Sequence, residues 1–117
     1  RIQGVFKTKR NISVEEVVPV SSDTIKVVFD DAIAFDKTNL SLSNYSLEYN
    51  YLGLSIKEIP LSILYFNSKT LILKFNEMHY DLPYAFKFNT IVDYFGSSYK
   101  VTGDGTNYVE FVLQNED

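Results

Sequence analysis

The residues of this sequence that could do acid–base or metal chemistry are few and scattered. His79 is the single histidine, in the segment EMHYDLP, with Glu77 and Asp81 as its nearest acidic neighbours. One interpretation makes His79 a general base or a metal ligand. The other, which we favour, is an ordinary surface histidine in the loop before a strand, because no nucleophile stands in a matching frame. There is no cysteine, hence no thiolate nucleophile or zinc–thiolate site. We expect no enzyme.

Acidic side chains raise the question of calcium, which takes about six to eight oxygen ligands. Asp30 and Asp31 follow one strand pattern, and Asp93 opens the segment DYFG. No spacing among them resembles a calcium-binding loop. In the alternative interpretation, Asp30 and Asp31 end a strand, and Asp93 caps its own turn with Gly96 at positive φ. We expect no cofactor and keep calcium at Asp30, Asp31 and Asp93 as an alternative, because distant loops can converge.

Tyrosines in or beside turns are the candidates for ligand binding. Tyr80, Tyr94 and Tyr99 all lie in such segments. An aromatic ring there can stack on a sugar ring or adhere to a neighbouring domain. In the alternative interpretation, turn aromatics fold over the open end of the core as plugs. We expect a plug for Phe95 and leave the three tyrosines undecided. The absence of tryptophan weakens the case for carbohydrate.

The elements that position these residues are strands, because apolar residues alternate with a period of two. We predict strands at residues 13–18, 25–29, 45–49, 54–59, 71–75, 84–88 and 109–113. The large side chains predicted to form the core are Ile25, Val27, Phe29, Leu71, Leu73, Phe75, Tyr84, Phe86, Phe88 and Phe111. About seven short strands separated by turns predict an all-β fold, an antiparallel Greek-key β-sandwich of the immunoglobulin-like type. One short turn of helix is expected at residues 31–37.

Two segments share one pattern: SDTIKVVFDD at residues 22–31 and SKTLILKFNE at residues 68–77. Two copies are too few for a solenoid, which needs at least about three repeats. We interpret them as neighbouring antiparallel strands that bury Phe29 and Phe75 in the same interior. A slip of one residue in either strand would turn its phenylalanine into water.

Length and charge limit the function classes. The 117 residues suffice for one domain. Residues 1–10 carry four basic groups and no acidic ones, and residues 11–117 carry seven basic against fifteen acidic groups, a balance of −8. That acidity argues against nucleic acid as a partner. No apolar run reaches the ~20 residues of a membrane span.

The chain begins at Arg1 rather than Met, and no signal peptide is visible. We therefore expect a piece of a longer protein whose targeting signals lie elsewhere. Residues 1–11 are predicted to be a linker or the end of a preceding module, and residues 12–117 the sandwich domain. Four apolar residues are predicted on outward strand faces, covered by loops or docked on an adjacent module: Val28, Ile72, Tyr108 and Val112.

Three segments resemble bacterial Ig-like domains of S-layer and other cell-surface proteins: VVPVSSDTIKVVFDDAI at residues 17–33, NYSLEY at 44–49 and LPYAFKFNTIVDYFGSSY at 82–99. One departure is Ser97, where the family usually has asparagine. The resemblance implies an extracellular or cell-surface module that spaces, rigidifies or presents neighbouring domains of the same polypeptide. The alternative is a ligand-binding module for a cell-wall glycan or a protein receptor.

Overall fold

The structure is a computed structural model that describes residues 12–99 and 108–114. The predicted linker at residues 1–11 lies outside the described residues. The strands, in chain order, are β1 (Val14–Ser21), β2 (Thr24–Phe29), β3 (Tyr45–Tyr51), β4 (Leu54–Glu58), β5 (Ser62–Asn67), β6 (Thr70–Lys74), β7 (Pro83–Phe88), β8 (Ile91–Val92), β9 (Ser98–Tyr99) and β10 (Tyr108–Val112).

Two antiparallel four-stranded sheets pack face to face, which confirms the predicted all-β sandwich. One sheet has the order β1-β2-β6-β5 and the other β10-β7-β3-β4, while β8 and β9 form a small third sheet. A single turn of 3-10 helix, Leu42–Asn44, precedes β3. The helical turn predicted at residues 31–37 is wrong, because Ile33 there forms a β-bridge with Asp93 instead. The described residues form no helix long and apolar enough to cross a membrane.

The two similar segments are neighbouring strands, as predicted. β2 pairs antiparallel with β6, and Ile25 lies opposite Leu73. Along β2, burial alternates strictly, because residues of a strand point to opposite faces in turn. Phe29 and Phe75 are both buried in one core. The prediction that the two similar segments are adjacent antiparallel strands burying their phenylalanines in the same core is therefore confirmed.

The core lies between the two large sheets. All ten residues predicted for it are buried, and Ile12, Ile33, Tyr45, Leu47, Met78, Ile91 and Leu113 join them. The Tyr45 ring stacks on Phe86 at a centroid distance of 5.9 Å, and Phe29 meets Phe88 edge-on at 6.4 Å. Each large apolar side chain buried in this way stabilises the fold by about 1.5–3 kcal/mol.

The described chain runs from one end of the sandwich to the other. At the end that we call the Ile12 end, Ser13 exchanges two hydrogen bonds with Asp30, just beyond β2, and β7 finishes at Phe88. At the opposite end, which we call the Leu113 end, the Asp81 amide donates to the Leu113 carbonyl at 2.8 Å. Ile12 and Leu113 therefore lie at opposite ends of the sandwich.

Candidate functional site

Two pairs of aromatic rings lie at the Ile12 end, and we call them together the aromatic surface: Phe35, Tyr65, Tyr94 and Phe95. Phe35 meets Tyr65 edge-on at 5.2 Å, and Tyr94 meets Phe95 edge-on at 5.6 Å. Burial raises the pKa of Tyr65, and the nearby Tyr94 hydroxyl raises it further. Phe35, Tyr94 and Phe95 are 74%, 65% and 86% exposed. Large apolar rings displayed together in this way are typical of an interaction surface.

Two crossing segments hold the aromatic surface in place. The Ala34 amide donates to the Val92 carbonyl at 3.0 Å, and the Tyr94 amide donates to the Ala32 carbonyl at 3.1 Å. The Tyr65 hydroxyl donates to the Ile33 carbonyl at 2.8 Å. These backbone bonds fix the loop that carries Phe35 against the turn that carries Tyr94.

The turn itself is built by Asp93. One carboxylate oxygen of Asp93 accepts the Phe95 amide at 2.9 Å and the Ser97 amide at 2.8 Å. Gly96 has φ +95°, in the left-handed region that glycine reaches without a steric penalty. The predicted capping role of Asp93 and the predicted positive φ of Gly96 are confirmed.

The prediction of Phe95 as a core plug is wrong. Its ring points into solvent, while the buried side chains of Ile33 and Ile91 close the core at this end. The cause is the Asp93 cap, which satisfies the backbone of the turn without help from the core. Phe95 is therefore available for contact with another molecule.

Asn39, which sequence reasoning missed, anchors the loop behind the aromatic surface. Its buried amide group donates to the carbonyls of Ala34 and Val92, both at 2.8 Å, and accepts the Val92 amide at 2.8 Å. The Tyr45 hydroxyl in turn donates to the Asn39 carbonyl at 2.6 Å. Burial of the hydroxyl raises the pKa of Tyr45 above its ordinary value. Asn39 thus supplies to β8 the hydrogen bonds that a neighbouring strand would give.

Asn44 repeats this arrangement two residues earlier along the partner segment. Its amide group donates to the Thr90 carbonyl at 2.6 Å and accepts the Thr90 amide at 2.9 Å. No buried side-chain nitrogen or oxygen within the described ranges lacks a hydrogen-bond partner. The polar segment TNLSLSN marks this loop in the sequence, but nothing in it indicates partners about fifty residues away.

The structure separates two of the three candidate tyrosines, Tyr80 and Tyr94. Tyr80 is 54% exposed but lies at the Leu113 end, just before β7, while Tyr94 lies beyond the other end of β7. The backbone of Tyr99 pairs with that of Ile91. Tyr80 and Tyr94 therefore cannot share one ligand-binding platform.

His79 lies among aromatic rings at the Leu113 end. Its imidazole stacks on Tyr51 at a centroid distance of 4.1 Å, and its backbone amide donates to the Tyr84 hydroxyl at 2.7 Å. Nearby, the Tyr49 hydroxyl donates to Glu58, and burial together with this carboxylate raises the pKa of Tyr49. These contacts account for His79 as a packed surface residue.

The three aspartates proposed for calcium serve the backbone. Asp30 accepts the Ser13 amide at 3.1 Å, Asp31 accepts the Ala32 amide at 2.8 Å, and Asp93 caps its turn. Within residues 12–99 and 108–114, no group of three His, Cys, Asp or Glu side chains converges to hold a metal ion. The expectation of no cofactor and the calcium alternative both stay predictions, to be tested by melting with calcium and with a chelator.

Two open hollows lie elsewhere on the surface. One, of about 380 Å³, lies beside the loop that carries Phe35 and is lined by Lys37, Thr38, Ser41, Ser43, Asn44, Asn89 and Thr90. The other, of about 590 Å³, lies on the outer face of the second sheet, where Lys87 forms a 2.9 Å ion pair with Glu48. Both are open to solvent, unlike the concave pockets that enclose small molecules.

No protein-family model and no curated protein matches the sequence. Solved structures do match. The crystal structure of the S-layer protein rSbsC(31-844) matches with a TM-score of 0.74 and 21% identity over 92% of this chain. The structure of surface layer protein SbsC, domains 1-6, matches with a TM-score of 0.77 and 20% identity over 97%. The crystal structure of the N-terminal part of the bacterial S-layer protein SbsC matches with a TM-score of 0.72 and 20% identity over 92% of this chain.

These matches occupy only 14%, 15% and 24% of the respective SbsC chains, so this chain spans a small part of the proteins that it matches. At such identities the likeness concerns the fold. The resemblance to surface-protein domains that the strand motifs indicate is confirmed at that level, and the chain has the fold of domains found in the S-layer protein SbsC.

Proposed function

We propose that this chain is a non-catalytic, immunoglobulin-like module of a larger bacterial surface protein, located outside the cell, where it acts as a spacer or interaction domain. The observation that carries the proposal is the fold shared with domains that make up small fractions of S-layer protein SbsC. The strand order β1-β2-β6-β5 against β10-β7-β3-β4 supports the immunoglobulin-like assignment. Its partners are neighbouring domains of the same polypeptide.

The path of the chain supports the spacer role. Tension applied through the Ile12 and Leu113 ends acts along the strands, because β1 and β10 leave the sandwich at opposite ends. The β1–β2 and β10–β7 hydrogen bonds are then loaded in shear and must break together. Tension between two points at one end would instead open these bonds one after another.

Single-molecule force spectroscopy tests this proposal. Because the chain has no cysteine, attachment points can be set by single substitutions. We expect a higher unfolding force when tension enters the fold at Ile12 and Leu113 than when it enters at Ile12 and at Ser97→Cys, because the latter two positions lie at the same end of the sandwich. Equal unfolding forces in the two geometries would contradict the spacer role.

A second function is supported by one observation, the display of Phe35, Tyr94 and Phe95 on a fixed scaffold. Rigid exposed rings can stack on sugars or dock on a protein. The module would then bind a cell-wall glycan or a protein receptor through the aromatic surface.

Glycan arrays and pull-downs from cell walls distinguish the two functions. Tyr80→Ala is a matched control for Tyr94→Ala, because Tyr80 is similarly exposed at the opposite end. Binding that Tyr94→Ala abolishes and Tyr80→Ala leaves intact supports the ligand-binding function. Absence of binding by the folded wild type supports the spacer.

A further inference from the structure

Among the described strands, the outer ones of the two large sheets are β1, β5, β10 and β4, and they differ in how their edges are protected from pairing. β1 carries Glu15, Glu16 and Pro19 and has two register shifts. β10 carries Glu110, and β4 carries two charged residues at its end. β5, with the sequence SILYFN, contains neither charge nor proline. Charges, prolines and bulges are the usual means by which proteins prevent sheet edges from pairing.

β5 is also apolar on its outward face. Ile63 and Tyr65 pack against the core, while Leu64 and Phe66 point outward and are 58% and 63% exposed. Leu64 lies opposite Ile72 of β6, which extends the apolar stripe toward the middle of the sheet. The single register shift of β5 lies near its end, between Tyr65 and Asn67, and leaves the strand regular around Leu64.

We propose that β5 pairs antiparallel with β5 of a second copy of this chain, centred on Leu64, so that two four-stranded sheets become one sheet of eight. An edge strand presents unpaired backbone donors and acceptors to such a partner. A two-fold axis places Leu64 opposite its own counterpart and brings the two apolar stripes side by side.

Among the outer strands, β5 is the one suited to pair with the same strand of a second copy, because its self-pairing brings no two charges together. Self-pairing of β10 about its centre would place Glu110 opposite Glu110, which is repulsive. Self-pairing of β1 would meet Pro19 and two irregular positions. This contact goes beyond the proposed function, since it joins two copies sideways rather than domains along one polypeptide.

Disulfide trapping of the full chain tests the pairing. In antiparallel pairs, the Cα atoms of opposite residues lie about 4.5 or 5.5 Å apart, within the range that a disulfide spans. Under mild oxidation, we expect Leu64→Cys to form a covalent dimer at least about ten times faster than Leu54→Cys. Leu54 is a matched control, because it is a 65% exposed leucine on an outer strand of the second sheet, β4.

Sedimentation without cross-linking gives the second readout. We expect the wild type to associate reversibly as its concentration rises, Leu64→Lys to remain monomeric and Leu54→Lys to behave as the wild type. Circular dichroism and melting temperature verify that both variants fold. Equal trapping rates for the two cysteine variants, a folded wild type that stays monomeric, or undiminished association of Leu64→Lys would each overturn the proposal.

Discussion

The two ends of the sandwich use aromatic residues in opposite ways. At the Leu113 end the rings close the core: Tyr84 is buried, stacks on Phe111 at 5.7 Å and contacts Tyr49 at 4.6 Å. At the Ile12 end Tyr94 and Phe95 face solvent. The difference lies in how each end satisfies its loop backbone.

At the Ile12 end, Asn39 and Asn44 each bind both polar groups of one backbone residue, Val92 and Thr90. The loop therefore needs no ring to cover it, and its aromatic residues are free for contact with other molecules. At the Leu113 end the covering rings are part of the core, so their removal would expose it. We infer that a surface suited to evolving new contacts arises where polar side chains, rather than aromatic ones, hold the loops.

The largest expected effect separates a core ring from a displayed one. Phe88→Ala should lower the free energy of unfolding by about 3–5 kcal/mol, because it leaves a cavity beside Phe29. Phe95→Ala should change it by no more than about 0.5 kcal/mol, since its ring is exposed. Urea denaturation measures both. A loss above about 2 kcal/mol in Phe95→Ala would contradict the comparison.

The next effect tests the asparagine anchor. Asn39→Ala should cost on the order of 2–4 kcal/mol, because buried groups of Ala34 and Val92 lose their partners. Asn50→Ala, at an exposed position of β3, is the matched control and should lie within about 0.5 kcal/mol of the wild type. Equal losses of unfolding free energy in the two variants, measured by denaturation, would show that Asn39 does not anchor the loop.

The Tyr45→Phe variant tests the same loop anchor through the pH dependence of stability, because the Tyr45 hydroxyl bonds to the Asn39 carbonyl. Loss of the bond to the Asn39 carbonyl should cost about 1–3 kcal/mol at neutral pH. The folded-state pKa of Tyr45 is raised above its ordinary value of 10.0, so its contribution is full below that pH and is lost as pH rises above it. We therefore expect Tyr45→Phe to lose stability less steeply than the wild type above about pH 10. Denaturation at pH 8–11 checks this, and parallel profiles would contradict it.

The smallest effect concerns the Leu113 end. His79→Ala removes the stack on Tyr51 and should cost about 0.5–1 kcal/mol. Tyr80→Ala, at the neighbouring exposed position, should cost less. A greater loss in Tyr80→Ala, measured under the same conditions, would show that the stack does not stabilise this end.

The sheets and their core were predictable because, in strands such as β2, apolar residues at alternate positions identify the buried face directly from the sequence. β5 escaped prediction for a physical reason: Leu64 and Phe66 are apolar on the outward face, so SILYFN shows no polar–apolar alternation. The same apolar outward face is the one that the proposed pairing of two copies would bring together.

The candidate site was predictable only in part. The turn at Asp93 and Gly96 could be predicted from the sequence, because a side-chain cap and a positive φ are local requirements that favour these residue types. Whether Tyr94 and Phe95 would turn inward depends, besides the Asp93 cap, on Asn39, which lies 53 residues from its partner Val92. Sequence spacing carries no information about such a distant bond.

The central claim is that Asn39 and Asn44, rather than aromatic rings, hold the loops at the Ile12 end. Native-state hydrogen exchange at the Thr90 and Val92 amides tests it most directly, because both amides donate to these asparagine side chains. We predict that the Val92 amide loses protection in Asn39→Ala and that both amides keep it in the double variant Tyr94→Ala/Phe95→Ala. Loss of protection in the aromatic double variant, with protection retained in Asn39→Ala, would show that the rings and not the asparagines hold the Ile12 end.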